Sequence, residues 1–406
     1  MECGKPIRIV LYSHDAVGLG HLRRNLALSY SLSLGLPAPV TGLLISGNHH
    51  AGRLSRPDNW DLLILPGYEK FGGDYRARQL VMSLTELAAL RAKIIVSALE
   101  MFKPDILIVD KHPAGLQGEL LPALQALTTT RLVLGLRDIL DAPDIALAQW
   151  YASGSHQAVR KYYHRIWIYS DPRIHSPFDS GELPAELRTI SDFTGYLAKG
   201  RRTLSEPDAA TKSQWRRQFL TFVGAGSDGF PVAQAAVRAK VPAGYQHIVC
   251  TGPDMAAADV ETLRQMVSSP AVSVTSFIEH AATRIAYAAG LLTMGGYNTL
   301  CEALATDTPT LVVPRRSPRL EQQIRAQMLA DCGLIDMCLI DQISPAFVSD
   351  WLARCGDRRV TRRRIDLDGL QHVAALAGSL LTTKEGIDNA TNIAHRICAE
   401  NLSQAV

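Results

Sequence analysis

Paired cysteines are missing from this chain. Its seven cysteines stand at 3, 250, 301, 332, 338, 355 and 398, with no Cys-x-x-Cys spacing and no Cys/His cluster at zinc-ligand spacing. This excludes a disulfide scaffold and a zinc-finger module, and reads as the reduced, mostly buried thiols of a cytosolic protein. A transmembrane run is missing too. Asn25 to Asn48 carries no charged residue, but serines, Gly35, Pro37 and Pro39 interrupt it. A helix ending near Leu34 and a strand starting near Val40 explain it better than a span. No secretory signal precedes the first strand pattern, so a cytoplasmic location is expected. A strong charge of either sign is absent: 42 basic and 39 acidic residues leave a net +3, which does not imply nucleic acid. No sustained repeat or heptad is visible.

The chain has 406 residues, 47% of them hydrophobic and 20% charged. That describes a globular protein too long for one ordinary core. Proline, serine and charged residues thicken between Asp171 and Glu206, with FTGYLAKG reading as a last strand followed by a hinge near Gly195 to Asp208. Strands alternate with helices on both sides of it, which predicts an α/β protein of two Rossmann-like domains facing across a cleft. The expected divisions are 1–197, 198–385 and a final helix segment, 386–406.

The most chemically loaded stretch is 275–330. A short apolar run ending at Met294 breaks at Gly295 and Gly296, and a helix pattern with Leu300, Ala303 and Leu304 follows at once. A glycine turn into a helix N-terminus can present N–H groups and the positive end of the helix dipole to a phosphate. Asn298 and Thr299 stand beside it, and Glu302, one turn further in, suits ribose hydroxyls. The same residues also serve as ordinary caps of a βα turn. The β-branched strand Thr310 to Val313 leads through a basic turn to Gln322 and Gln323, neutral amides that suit sugar hydroxyls. Gly224, Gly226 and Ser227, after the strand Phe219 to Val223, form a second phosphate-compatible turn.

In the N-terminal half, Ile7 to Tyr12 is a strand followed by SHDAVGLGHLRR. Gly18 and Gly20 let the backbone approach a ligand, and His14, Asp15 and His21 add titratable groups. The turn is not Gly-x-Gly-x-x-Gly and no acidic residue ends the second strand, so a nicotinamide reading is weak. Asp110, Lys111, Arg137 and Asp138 stand just past other strand ends, where doubly wound sheets place ligands. They read as acceptor-binding groups, with Asp138 and Asp15 in reserve as bases behind His21. The alternative is that these neighbours pair with each other and cap helices. A basic cluster from Arg358 to Arg364 leaves room for peripheral contact with anionic lipid, although aspartates 366 and 368 follow it and a solvated helix face accounts for it.

FIEHAATRIAYAAGLLTMGGYNTLCEALATDTPTLVVP followed by EQQ resembles the nucleotide-sugar half of MurG-type glycosyltransferases, which have the GT-B fold. SHDAVGLGHLRRNLAL is similar to the family's first glycine turn, with His21 on the family's histidine, and more closely to a bacterial group of predicted glycosyltransferases related to MurG. The resemblance implies that backbone groups at Phe277 and Ile278 hold the nucleotide base, and that the last helix crosses back onto the first domain. It departs at Met294, where relatives carry a basic residue, and at Asp307, where they carry glycine. Neutralisation of the diphosphate would then fall to Arg315, Arg316 or Arg319.

The expected activity is transfer of a sugar from a nucleotide diphosphate, UDP or dTDP, to an acceptor whose identity the chain leaves open. His21 is the expected base, since a histidine ionises near neutrality. No Asp-x-Asp dyad sits beside either donor turn, so metal-independent chemistry without a cofactor is expected, with helix dipoles and N–H donors stabilising the leaving diphosphate. Two alternatives stay open: a nucleotide-sugar 2-epimerase of the same fold and a non-catalytic nucleotide-sugar binding protein.

Overall fold

The computed structural model describes residues 5–15, 18–71, 74–202, 206–224, 228–317, 319–356 and 358–382. The chain divides into two compact units, one of Met1–Ser170, Ser176–Gly200 and Asp368–Val406, the other of Asp171–His175 and Arg201–Leu367.

The first unit is built on β1 (Ile7–Ser13), β2 (Val40–Ser46), β3 (Trp60–Ile64), β6 (Ile106–Asp110), β7 (Arg131–Arg137), β8 (Arg165–Tyr169) and β9 (Ser191–Phe193). A separate antiparallel hairpin, β4 (Tyr68–Phe71) with β5 (Asp74–Ala77), follows β3. The seven main strands form one parallel sheet in the order β3-β2-β1-β6-β7-β8-β9. Strands covered on both faces read as unbroken apolar runs, and β6, ILIVD, is buried at every position. Each such aliphatic side chain contributes roughly 1.5 to 3 kcal/mol on burial. The helices are α1 (Gly20–Gly35), α2 (Leu84–Phe102), α3 (Leu121–Ala126), α4 (Pro143–Ala152) and α5 (Ser155–Tyr162). A capping box starts α2, with Ser83 accepting from the Glu86 N–H while the Glu86 carboxylate accepts from the Ser83 N–H.

The second unit repeats the plan with β10 (Gln218–Phe222), β11 (Gln246–Cys250), β12 (Val272–Thr275), β13 (Gly290–Thr293), β14 (Thr310–Val312) and β15 (Asp336–Met337), all parallel in the order β12-β11-β10-β13-β14-β15. Its helices are α6 (Ala209–Trp215), α7 (Phe230–Val237), α8 (Ala257–Gln265), α9 (Ala281–Tyr287), α10 (Tyr297–Leu304), α11 (Glu321–Asp331) and α12 (Pro345–Cys355). In each sheet the strand order reverses beside the first strand, between β1 and β6 and between β10 and β13. Open parallel sheets place ligands beyond the strand ends at such switch points.

α13 (Gly369–Thr382) belongs to the first unit, whereas the sequence reading kept everything to 385 in the second. It packs on α1, where a Cβ on Gly35 would come within 2.6 Å of the Ala374 Cβ. Ser31 donates to the Leu370 carbonyl at 2.5 Å and His372 Nδ1 to the Thr194 carbonyl at 2.8 Å. The apolar face of α13 thus has its partner in α1, and the chain returns to the first unit at Asp368. The helix expected over 386–406 lies outside the described residues. The strand expected over FTGYLAKG is shorter and earlier: β9 stops at Phe193, and Leu197 makes an isolated bridge to Asp368. Among the described residues, no helix is long and apolar enough to cross a membrane.

Candidate active site

In the first unit the end of β1 runs into a turn that needs positive φ at Asp15 (44°) and Gly18 (66°). Asn48, just past β2, donates its carboxamide N–H to the Gly18 carbonyl at 2.9 Å and so ties the turn to the sheet. α1 then begins without a side-chain cap or an acidic residue in its first turn. His21 stands in that first turn, and β6, paired with β1, ends at Asp110. The His21 Nδ1 lies 3.0 Å from Asp110 Oδ2. Arg24, one turn along the same helix face, places Nη2 2.7 and 2.5 Å from the two Asp110 oxygens and 3.0 Å from the same His21 nitrogen. Burial alone would raise the Asp110 pKa, but the Arg24 and His21 charges and their hydrogen bonds hold its carboxyl well below the usual carboxylate range.

Asp110, expected as an acceptor-binding group, is held between His21 and Arg24. Asp15, a reserve base, is fully buried and takes hydrogen bonds from the Ser13 hydroxyl and, at 2.6 Å, the Ser46 hydroxyl. Burial pushes its pKa up. Asp138, the other reserve, is also buried, and its Oδ1 accepts from the Ile139 N–H at 2.8 Å, a local turn bond. His14 is buried, its ring 5.2 Å from that of His21 and 4.5 Å from that of His112. Burial, then the nearby His21 and Lys111, depress its pKa well below that of a free histidine. Lys111 and Arg137 stand half-buried at the ends of β6 and β7, and Lys111 adopts φ 71°. Gly20 opens α1 and is exposed.

Beneath this turn lies a buried polar cluster that the sequence reading missed. Arg91 and Glu119 are both fully buried and joined by two hydrogen bonds, one of them at 2.9 Å. Tyr12 donates to Glu119 Oε1 and Tyr68 to Oε2 at 3.0 Å; Arg91 also donates to the Pro66 carbonyl at 2.6 Å and stacks over Tyr68 at 4.4 Å. A pair 28 residues apart leaves no local pattern in sequence.

In the second unit, Gly224 follows β10 with φ 71°, and Gly295 follows β13 with φ 82°. A Cβ at Gly295 would stand 2.8 Å from Val312 Cγ1, so glycine is required twice over there, whereas Gly296 has no atom within 4 Å of its Cβ position. Gly296 caps α10, which has no side-chain cap and no acid in its first turn. The positive end of its dipole thus lies at the glycine turn. Gly226 and Ser227 lie outside the described residues.

Asn298 and Glu302 are brought together as expected, on one face of α10, but both face Arg201. Its Nη2 donates to Asn298 Oδ1 at 3.0 Å and its Nη1 lies 3.7 Å from Glu302 Oε1. Arg201 sits in the segment read as a hinge, and its spacing from α10 offered no signal. Thr299 is half-buried on the same helix. Arg325 is buried, donates to the Gly295 carbonyl at 3.2 Å and lies over the Tyr297 ring. Gln322 is nearly buried with its oxygen 3.4 Å from the Arg315 N–H, and Gln323 beside it is half-buried. Phe277 is 73% exposed while Ile278 is buried; the Thr275 hydroxyl donates to the Phe277 carbonyl at 2.9 Å. Of the arginines expected to meet a diphosphate, Arg315 pairs with Asp228 at 3.3 Å and Glu321 at 3.7 Å, and Arg316 with Asp341 at 3.3 Å.

Residues 220–352 match the model of the glycosyltransferase family 28 C-terminal domain. A comparison with curated proteins finds no match. Among solved structures, the chain is similar to the glycotransferase of kitacinnamycin at 15% identity, covering 95% of this chain and 99% of that one, with a TM-score of 0.59. It is similar to Acinetobacter baumannii MurG at 14% identity over 96% and 99% of the two chains, TM-score 0.53. The glycosyltransferase VinC, solved in complex with dTDP, gives 13% identity over 96% and 100%, TM-score 0.56. The expected MurG-like GT-B fold is borne out, and the stretch that matches the family 28 model, 220–352, lies within the second unit.

Proposed function

We propose that this chain is a nucleotide-sugar-dependent glycosyltransferase whose second unit holds the donor and whose first unit supplies the base. The glycine turn at Gly295 and Gly296 and the positive end of the α10 dipole meet the donor diphosphate, UDP or dTDP being the expected nucleotides. Arg201 stands beside it, donating to Asn298 on that helix. The reaction is an inverting displacement without a metal or cofactor. An acceptor hydroxyl loses its proton to His21 and its oxygen forms a bond to the anomeric carbon. The bond from that carbon to the diphosphate breaks, and the N–H groups and the arginine meet the charge that develops on the leaving oxygens.

The His21–Asp110 pair carries the transferase reading over the alternatives. With Nδ1–H donated to Asp110, Nε2 keeps its lone pair, and the ring is 16% exposed, so that nitrogen can accept a proton. A binding protein has no use for a buried carboxylate orienting an imidazole, and a 2-epimerase needs no acceptor base. The acceptor is handled by the first unit, and the location is cytoplasmic, with peripheral contact to anionic lipid through the Arg358 to Arg364 region left as a further partner.

His21→Ala tests this. Calorimetry with UDP and dTDP should give wild-type affinity, while sugar transfer, measured in single turnover once a screen of acceptors finds one, should fall about a hundredfold or more. A folded mutant that transfers at the wild-type rate would remove His21 from the chemistry.

A further inference from the structure

Arg24 is placed to do more than neutralise a buried aspartate, and we infer that it sets the proton load and tautomer of His21. This rests on His21 acting as the base. One nitrogen of the guanidinium, Nη2, touches both Asp110 oxygens and the His21 Nδ1. That ring nitrogen carries a single site, so two arrangements compete. Either Nδ1–H donates to Asp110 and Nε2 is the base, or Nδ1 accepts from Arg24 and the proton sits on Nε2, which can then only donate. Arg24 and Asp110 each expose 2% of their side chains, so the choice is made where water screens little.

The charge balance points the same way. With neutral His21, the carboxylate and the guanidinium cancel. Without Arg24, Asp110 would stand as an uncompensated charge 3.0 Å from the imidazole and would draw a proton onto it. An imidazolium is no base. The surrounding groups do not supply a substitute. His14 is a second imidazole with its proton affinity already depressed, Asp15 is a buried carboxyl just past β1, Lys111 is a cation whose charge acts on His14, and Tyr169 on β8 is a buried phenol whose pKa is pushed up by burial and by Asp110. Arg24 thus balances the Asp110 charge beside the imidazole and competes with Asp110 for the His21 Nδ1.

The test is an NMR titration of histidine-labelled, full-length protein, with the His21 signals assigned by their loss in His21→Ala. In Arg24→Met the His21 midpoint should rise by about one unit or more, the span expected when a neighbouring charge is removed, and Nδ1 should report the tautomer bonded to Asp110. Arg24→Lys, which keeps the charge, should hold the midpoint near wild type. If Arg24→Met does not fold, Arg24→Gln carries the same expectation. A midpoint unmoved in whichever of these two folds overturns the inference, and so does a shift in Arg24→Lys as large as that in the uncharged variant. The readout needs neither donor nor acceptor, so it fails or succeeds separately from the transfer assay on His21→Ala.

Discussion

The Arg91–Glu119 pair gives the sharpest energetic expectation. Both side chains are fully buried, and Glu119 has four donors on its two oxygens, two from Arg91 and one each from Tyr12 and Tyr68. Removing one member leaves an unpaired charge in a dry interior, which costs about 3 to 5 kcal/mol. Glu119→Leu should sit at the upper end of that range, because it strands the guanidinium and two phenols together. Arg91→Met should sit lower, since Tyr12 and Tyr68 still donate to the carboxylate. Replacing both, Arg91→Met with Glu119→Leu, should recover most of the loss, because an apolar pair of similar volume needs no compensation. The assay is urea denaturation of all four proteins followed by tryptophan fluorescence, with first-unit signal taken from Trp150 and Trp167, which lie in that unit's core. The coupling is the difference between the double mutant and the sum of the singles. Single mutants costing under about 1 kcal/mol, the range of exposed ion pairs, would refute the claim that this pair is dry and mutually dependent. Additive singles would refute the coupling.

Three further expectations concern buried histidines and turn glycines. His164 and His247, one in each unit, have pKa values lowered to about 4, His164 by burial and then the Arg131 charge, His247 by burial. The unfolded chain takes a proton near 6.5 while the folded one refuses it. The stability is therefore complete above that pH and lost as pH falls from about 6.5 towards 4, by roughly 3 kcal/mol per histidine; denaturation midpoints in buffers across that window check it, and a flat profile would contradict it. At the turn after β13, Gly295→Ala should destabilise the second unit by about 1 to 3 kcal/mol, from its φ of 82° and the Val312 contact. Gly296→Ala has open space and an ordinary φ of −60°, so it should fold normally yet weaken UDP or dTDP binding in calorimetry. Unchanged affinity in Gly296→Ala would move the diphosphate away from this turn.

Alternating apolar runs and helix patterns were enough to set out both parallel sheets, because strands covered on both faces leave continuous buried segments such as Ile106–Asp110. The glycine turns were legible for the same local reason: Gly18 and Gly295 adopt φ values that other residues resist, and they stand in turns that follow strands. His21 was legible from its place beside such a turn. Its partner was not. Asp110 looked like any acid at a strand end, and only the pairing of β1 with β6 brings it to 3.0 Å from the imidazole. Arg24 carried one readable hint, three residues from His21 on the same helix face, but its binding to Asp110 spans 86 positions. Arg201 against Asn298 and Glu302, and Arg91 against Glu119, are likewise fixed by which chain segments the sheets and helices bring together. The sequence by itself determined the backbone elements and the sites of backbone approach, since these depend on local φ and on periodic burial. Tertiary structure alone decided which charge meets which, since an ion pair depends on two side chains whose separation in the chain carries no information about their separation in space.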